Sequence, residues 1–222
     1  MKKFAFVSDF DGTLTSRDFY HIVIDKYLQD WGRSFYEEWK KTKKINVEFL
    51  NIIFGAMSKT EDEINKEIHQ LPFDPNAKEF INKVKANGGD FYILSAGTSY
   101  YIEIYLKYVG LSDVRVISMP GKYKDGGIEI APDKSSPYFS EVFGLDKSKV
   151  INELKEEYEK VFFAGDSEPD LAAARAADIA FAKAGLKDMM SKERGSFIPF
   201  ENYKNIEEYL IREGWLNAGL HA

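Results

Sequence analysis

The chain contains no cysteine and only three histidines among its 222 residues. Without thiols it can form no disulfide, no thiolate metal site and no cysteine nucleophile. The histidines, His21, His69 and His221, are too few for a zinc site or a histidine-based catalytic triad to be expected. Any metal that the protein uses should therefore be a hard cation held by oxygen ligands.

Long apolar runs and an excess of basic residues are also missing. The first apolar stretch, residues 4–7, is far shorter than a signal peptide or a membrane span, and no run approaches about 18 apolar residues. The net charge of −6 disfavours nucleic acid as a partner, because an acidic surface repels a phosphate backbone. Together with the lack of cysteine, these features predict a cytoplasmic protein with no membrane or nucleic-acid partner.

Apolar material for a sizeable core is abundant, since 44% of the residues are apolar and 15% are aromatic. Residues 4–9 (FAFVSD) form a β-prone apolar run that ends in a turn, which predicts a buried strand. From residue 19 to residue 71 the apolar residues follow helical spacing instead, as Phe19, Val23 and Tyr27 do. The chain therefore changes from strand to helix directly after its first strand.

The remainder of the chain alternates short apolar segments with helical ones. Asp74 and Pro75 predict the start of a helix as its N-cap and first residue. The alternation that follows predicts a parallel sheet with helices on both faces, and residues 121–132 predict a hairpin. The expected fold is thus α/β: a Rossmann-like parallel sheet flanked by helices, with a small all-helical insert after the first strand and a short β-hairpin. Further strands are expected at residues 91–95, 114–118, 161–164 and 179–182, and helices at residues 98–109, 148–159 and 169–176.

Acidic residues follow two of the predicted strands, at the edge where open α/β sheets bind ligands. Asp9 and Asp11 follow the first strand, and two carboxylates this close repel each other unless a cation or a shared proton intervenes. A simple turn at Gly12 is the alternative. Asp166 follows a later strand, with Asp170 one helical turn further on. Here the alternative is a pair of acids that only complement the helix dipole.

Two further segments are candidates for an anion site. Ser95, Ala96 and Gly97 end the second strand before a helix, where a hydroxyl and backbone N–H groups can bind an anion. A simple N-cap is the alternative. Lys147 stands at a helix start, where the dipole disfavours a cation, so a phosphate or a carboxylate should accompany it. A solvated surface lysine is the alternative.

Taken in order, the patterns D-x-D-G-T, S, K and G-D-x-x-x-D resemble the motif set of the haloacid dehalogenase-like hydrolases, over residues 4–182. The resemblance implies Asp9 as a nucleophile that forms an aspartyl phosphate, and Asp11 as general acid and then general base. Dehalogenase members lack an acid at the position of Asp11, and transport ATPases have threonine there together with membrane spans. The chain is accordingly expected to be a phosphatase.

The same resemblance implies Mg²⁺ as the cofactor, held by the carboxylates of Asp9 and Asp166 and the backbone carbonyl of Asp11. Asp170 is expected to orient Lys147 or a metal-bound water. Lys149 is the rival for the lysine role, but relatives place that lysine three residues before an aliphatic pair, as Lys147 stands. The residues expected to bind phosphate are Gly12, Thr13, Ser95, Ala96, Gly97 and Lys147.

The helical insert resembles the small cap of the phosphoserine-phosphatase-like branch of this family. The resemblance predicts a cap domain at residues 16–73 and a core domain at residues 1–15 and 74–222. Asp18 stands where relatives have an acid that contacts the substrate at the cap entrance, which makes it the candidate for substrate specificity. A carboxylate that only starts a helix is the alternative.

Within that branch the chain resembles the MtnX-type phosphatases of methionine salvage, which act on 2-hydroxy-3-keto-5-methylthiopentenyl-1-phosphate. The similarity lies at residues 9–18, 95–97, 121–132 and 181–184, whereas some of those relatives have cysteine and histidine in the region of residues 133–146. Phosphoserine phosphatase is the alternative, and it would need a cap arginine such as Arg17 or Arg33. A catalytically dead phosphate-binding module is a third hypothesis. The expected partner is a small phosphorylated metabolite, and the sequence leaves the oligomeric state open.

Overall fold

The computed structural model describes residues 4–219, and its centre is a six-stranded sheet in the order β10-β9-β8-β1-β2-β3. All neighbouring strands of this sheet are parallel. Two small antiparallel pairs, β4-β5 and β6-β7, accompany it. The strands are β1 (Phe4–Ser8), β2 (Gly89–Thr98), β3 (Arg115–Met119), β4 (Gly121–Lys124), β5 (Gly127–Ile130), β6 (Phe139–Ser140), β7 (Gly144–Leu145), β8 (Val161–Gly165), β9 (Ile179–Ala182) and β10 (Ile198–Pro199).

Helices join and cover the strands, and none of those in residues 4–219 is long and apolar enough to cross a membrane. A π-helical turn (Ile24–Leu28) and a 3₁₀ turn (Glu168–Asp170) also occur. The α-helices are α1 (Phe19–Val23), α2 (Gln29–Thr42), α3 (Val47–Gly55), α4 (Glu61–Ile68), α5 (Ala77–Ala86), α6 (Ser99–Tyr108), α7 (Lys147–Glu157), α8 (Leu171–Ala176), α9 (Ala184–Lys192) and α10 (Tyr203–Arg212).

Strand β1 lies in the middle of the sheet because its side chains are apolar on both faces, and all five of its residues are buried. Phe6 stacks on Phe91 of β2 and on Phe162 of β8, and it meets Phe80 of α5 edge-on. The parallel pairing of β1 with β2 and β8 brings the carboxyl ends of these three strands together. That edge is where Asp9 and Asp166 follow their strands, and where Ser95 lies in the last part of β2.

The insert, residues 16–73, is helical, and the structure describes all of it. The chain enters and leaves the insert at one place, where Thr15 and Phe73 form an antiparallel bridge. Within it, Thr60 and Glu63 form a capping box at the start of α4. The division of the chain into separate core and cap domains remains a prediction.

The expected α/β architecture is confirmed, with two local corrections. Helix α5 begins at Ala77 with Asn76 as its N-cap, not at Pro75, because residues 74–77 form a turn closed by the bonds of Ala77 N to the Asp74 carbonyl (3.0 Å) and of Asn76 N to the Asp74 carboxylate (2.8 Å). The other carboxylate oxygen of Asp74 accepts from Tyr203 N (3.0 Å). Strand β2 continues to Thr98 instead of ending at Ser95, with an irregularity in its pairing with β3. No prediction covered the two-residue strands β6, β7 and β10, nor α9 and α10.

Candidate active site

A buried charge network lies at the carboxyl edge of the sheet. The Lys147 Nζ donates hydrogen bonds to Asp9 Oδ1 and to Asp170 Oδ1, both at 2.6 Å. Burial alone would lower the pKa of Lys147, but the charges of Asp170 and Asp9 outweigh it and the net pKa is raised. The lysine therefore stays charged although it starts helix α7. The rival Lys149 is exposed, and its Nζ donates to the carbonyl of Pro137 (3.1 Å).

Three carboxylates share this network, and a ligand oxygen of each of Asp9, Asp166 and Asp170 lies within 4.8 Å of the others. Burial and neighbouring carboxylates raise the pKa of Asp9 well above its usual range and that of Asp166 to about 7. A divalent cation among them would favour their ionised forms. This all-oxygen cluster fits Mg²⁺, which prefers carboxylate ligands.

Hydrogen bonds assign different positions to the acids of this cluster. Asp170 accepts from Lys147 at one oxygen and from the backbone N–H groups of Asp166 (3.0 Å) and Ser167 (3.1 Å) at the other. Asp166 Oδ1 accepts from the Thr13 hydroxyl (2.8 Å). Asp170 is thus occupied as a hydrogen-bond acceptor on both oxygens, which leaves Asp9 and Asp166 as the better placed metal ligands.

The loop after β1 is held tightly over this network. Gly12 has φ +75°, and a Cβ there would lie 2.5 Å from Asp166 Oδ2, so both the backbone and the space require glycine. The Lys183 Nζ donates to the carbonyl oxygen of Thr13 (3.1 Å), and burial lowers the pKa of this lysine. Lys183 follows β9, so it too belongs to the functional edge of the sheet.

Asp11 is held by two donors. Its Oδ1 accepts from Phe19 N (3.0 Å), at the start of the insert, and its Oδ2 accepts from the hydroxyl of the buried Tyr101. Burial raises the pKa of Asp11 to about 7, against these two hydrogen bonds, which lower it. A Cβ at Gly97 would lie 1.9 Å from the Tyr101 hydroxyl, so this glycine makes room for the contact. The result is a carboxyl that can gain and lose a proton near neutral pH.

The segment Ser95 to Gly97 lies beside Asp9 on the irregular part of β2. Ser95 is buried, and its Oγ accepts from Gly97 N (3.0 Å). The N-cap of α6 is Thr98, whose hydroxyl accepts from Tyr100 N (3.4 Å). Ser95 is therefore not the helix cap that the alternative reading of the sequence required.

A cavity of about 190 Å³ lies between the network and the insert. We call two of its parts the core side (Asp9, Asp11, residues 95–97 and Lys147) and the insert side (Asp18, Tyr20, Ile45, Asn46, Leu50 and Phe54); Tyr101, Phe143 and residues 167–169 also line it. The core side is polar and charged, whereas the insert side is largely apolar and aromatic. Gly12, Thr13, Asp166 and Asp170 are not among the described residues that line the cavity; Asp170 holds the lining residues Lys147 and Ser167 through hydrogen bonds, and Thr13 bonds to Asp166.

Asp18 belongs to the insert side of the cavity. It occupies the N-cap position of α1, but its side chain makes no capping hydrogen bond. Burial, followed by the charge of Asp11, raises the pKa of Asp18 to about 7, while a hydrogen bond with Tyr20 lowers it. Asp18 therefore faces the site and is not only a helix cap.

Several residues of the site were missed in the sequence. Tyr101 and Phe143 are aromatic residues in helical or irregular context, where nothing distinguishes them from core residues until distant segments come together. Tyr20 was likewise indistinguishable from the apolar stripe of its helix. Lys183 directly follows a predicted strand. Because ligands bind at the carboxyl ends of such strands, the reasoning that led to Asp166 could have identified Lys183 as well.

The cavity and its charge network lie at the carboxyl edge of a parallel α/β sheet, which is where this type of sheet binds ligands. A model of the haloacid dehalogenase-like hydrolase family matches residues 6–175, and the chain belongs to that family. The prediction of this family and the prediction of a phosphatase enzyme are confirmed.

The individual relatives described below share a quarter or less of their residues with this chain. The chain is 25% identical to a 2-hydroxy-3-keto-5-methylthiopentenyl-1-phosphate phosphatase of Microcystis aeruginosa, over 95% of this chain and 99% of the relative. It is also 25% identical to a polyol phosphate phosphatase of Saccharomyces cerevisiae, over 99% and 96% of the two chains. A substrate-bound phosphoserine phosphatase structure shares the fold with a TM-score of 0.70 and 17% identity, over 94% of this chain and 99% of that chain.

Proposed function

We propose that this protein is a Mg²⁺-dependent phosphatase that removes phosphate from a small metabolite through an aspartyl phosphate on Asp9. The observation that carries the proposal is the double hydrogen bond of Lys147 to Asp9 and Asp170 at the bottom of the cavity. A buried cation here fixes the orientation of the Asp9 carboxylate and adds positive charge where phosphoryl oxygens would lie. Asp9 is consequently oriented as a nucleophile.

The reaction follows from the groups around Asp9. An Asp9 carboxylate oxygen attacks phosphorus, and the bond from phosphorus to the ester oxygen breaks. Asp11 gives its proton to the departing oxygen and then takes a proton from the water that hydrolyses the aspartyl phosphate. A pKa of about 7 suits Asp11 for both tasks. Water hydrolysis returns Asp9 and releases inorganic phosphate.

The phosphoryl group is bound by this chain's own donors and by a cation. Ser95, Lys147 and the backbone N–H groups near Gly12, Ala96 and Gly97 would bind its oxygens, with Thr13 bracing Asp166. Mg²⁺ would be held by Asp9, Asp166 and the carbonyl of Asp11, and it would neutralise the charge that repels an attacking carboxylate. Asp170 acts through Lys147, whose position it fixes.

For the substrate, we propose 2-hydroxy-3-keto-5-methylthiopentenyl-1-phosphate, and Asp18 as the residue that contacts its leaving group. Support comes from the relatives of that name and from the cavity, whose insert side carries no cation among the described residues. Phosphoserine is the alternative, and its carboxylate would need one. Arg17 and Arg33 do not supply it, because both pair with Asp25 and neither lines the cavity.

The test is a turnover assay on both substrates, with Mg²⁺ and with EDTA, beside the Asp9→Asn variant. We expect Mg²⁺-dependent release of phosphate and a higher kcat/KM on the methylthiopentenyl phosphate than on phosphoserine. Asp9→Asn should lose at least about a hundredfold in kcat, because an amide of the same shape is no nucleophile. Activity in EDTA would exclude the metal, and no turnover of any phosphate ester would favour a phosphate-binding module. The cytoplasmic location and the lack of membrane or nucleic-acid partners remain predictions.

A further inference from the structure

One aromatic side chain in the wall of the cavity comes neither from the helical insert nor from the strand ends that the sequence analysis singled out. Phe143 lines the cavity together with Ile45, Leu50 and Phe54 of the insert. It lies in the turn between β6 and β7, a short hairpin that belongs to the core part of the chain. These four apolar side chains therefore come from two segments that lie about a hundred residues apart in the sequence.

The hairpin is fixed in place between the sheet and the insert. The Ser140 Oγ accepts hydrogen bonds from the backbone N–H groups of Val142 and Phe143, both at 3.3 Å, which closes the turn. Gly144 has φ +75°, and a Cβ there would lie 2.1 Å from Met119 Sδ and 2.8 Å from Val47 Cγ2. The hairpin thus packs directly against β3 and the start of α3, and Phe143 has a defined position.

The nearest additional cation is engaged in an ion pair at the rim of the cavity. Lys44 of the insert pairs with Glu168, and its Nζ lies 5.6 Å from the centre of the Phe143 ring. Among the described residues that line the cavity, Lys147 is the one cation, and Asp9 and Asp170 already engage it. An anionic group on the leaving group would meet the carboxylates of Asp18 and Glu168 and no further cation among the described lining residues, whereas an apolar group would meet four apolar side chains.

We propose that Phe143, with Ile45, Leu50 and Phe54, forms a subsite for an uncharged, apolar tail on the leaving group of the substrate. This inference rests on the proposed function in placing the phosphate at Asp9. Specificity is then shared between the insert and the core hairpin, because Phe143 adds apolar surface that the insert alone does not supply.

The subsite can be measured with straight-chain ligands from ethyl to pentyl. Alkylphosphonates report binding, by calorimetry with Mg²⁺ present, and monoalkyl phosphates report kcat/KM. In the wild type, each added methylene should strengthen binding by about two- to fourfold, since burying one is worth up to about 0.8 kcal/mol. In Phe143→Ala this gain should fall below about 1.5-fold per methylene, with ethylphosphonate binding little changed.

Two further variants separate the role of the ring from that of the hairpin. Val142→Ala changes an exposed neighbour on the same turn that does not line the cavity, and it should keep the wild-type gain. Phe143→Leu keeps apolar surface and should keep part of the gain. Thermal melts of all three variants identify any that are unfolded.

The outcomes distinguish this inference from the proposed function. Binding that is flat with chain length in the wild type would overturn the subsite, and so would an undiminished gain in Phe143→Ala. A gain lost equally in Val142→Ala would assign it to the hairpin and not to the ring, which also overturns the proposal. Phosphonate binding with the expected gain but without hydrolysis of any ester would support the subsite and overturn the phosphatase.

Discussion

The core side and the insert side of the cavity are built from different materials. On the core side, Lys147 and its two carboxylate partners are buried and joined by hydrogen bonds of 2.6 Å. On the insert side, Ile45, Leu50 and Phe54 offer apolar surface, which is non-directional and adapts to shape. Under the proposed function, the core side would bind the phosphoryl group common to all substrates, and the insert side together with Phe143 would contact the variable leaving group.

Among changes to the two sides, the largest loss of stability and activity should come from breaking the core-side network at Lys147. Lys147→Met leaves Asp9 and Asp170 buried without their cation, which should cost about 3–5 kcal/mol in the free energy of unfolding and abolish turnover. Urea denaturation measures the first effect and a phosphate-release assay the second. Lys149→Met is the matched control, since this exposed lysine two residues away should change stability by less than about 0.5 kcal/mol. Similar losses in both variants would contradict the assignment of Lys147.

The next largest effect is a pH dependence of stability that arises from the carboxylates beneath the core side. The pKa of Asp166 is about 7 in the folded, metal-free protein, above the ordinary value of 3.8. The folded state then binds more protons than the unfolded state between these values, so stability without metal should fall as the pH rises from 4 to 7. Mg²⁺ should offset this loss, with an apparent affinity that rises on the order of tenfold per pH unit for each proton released.

Thermal melts with EDTA or Mg²⁺ at pH 5 and pH 7.5 measure this dependence. We expect the rise in Tm caused by Mg²⁺ to be larger at pH 7.5. Asp166→Asn removes one of the titrating ligands and should reduce the difference between the two pH values. A Mg²⁺ effect that is equal at both would contradict a carboxylate metal site.

A smaller and more selective effect should follow from Asp18→Ala on the insert side. If Asp18 contacts the leaving group, kcat/KM on the physiological substrate should fall about ten- to hundredfold, the loss of one charge-assisted hydrogen bond. On p-nitrophenyl phosphate, which makes no such contact, the loss should be only a few-fold. Asp62→Ala changes an exposed acid of α4 and serves as the control. Equal losses on both substrates would leave Asp18 with a structural role alone.

The smallest effect should come from Tyr101→Phe, which removes one donor from Asp11 without changing the packing of the ring. The Phe19 N–H still holds the other oxygen, so we expect a loss of about tenfold on esters with poor leaving groups. On p-nitrophenyl phosphate, whose leaving group needs little protonation, the rate should change less. A uniform loss would show that Tyr101 does not act through the general acid.

Much of the fold and of the core side could be predicted because the relevant patterns are local. Residues 4–7 are apolar on both faces of a strand, and because open α/β sheets bind ligands at the carboxyl ends of their strands, Asp9, Ser95 and Asp166 are expected at one edge. Capping residues in the sequence predict helix starts less reliably than apolar patterns predict strands. Asp74 looks like a helix cap in the sequence, but its carboxylate also accepts a hydrogen bond from Tyr203, 129 residues later, which no local pattern contains.

The sequence by itself predicted the main parallel strands, the helical insert and the candidate residues for phosphoryl transfer, but not the short strands β6, β7 and β10 or the helices α9 and α10. Tertiary structure alone decided which of them meet. The spacing to the aliphatic pair favoured Lys147 over Lys149, but only the packing of α7 against the sheet brings the Lys147 Nζ within 2.6 Å of both Asp9 and Asp170. Phe143, Tyr101 and Asp11 acquire their positions in the same way. Periodicity records which face of an element is buried, whereas the partners on that face depend on segments brought together by the fold.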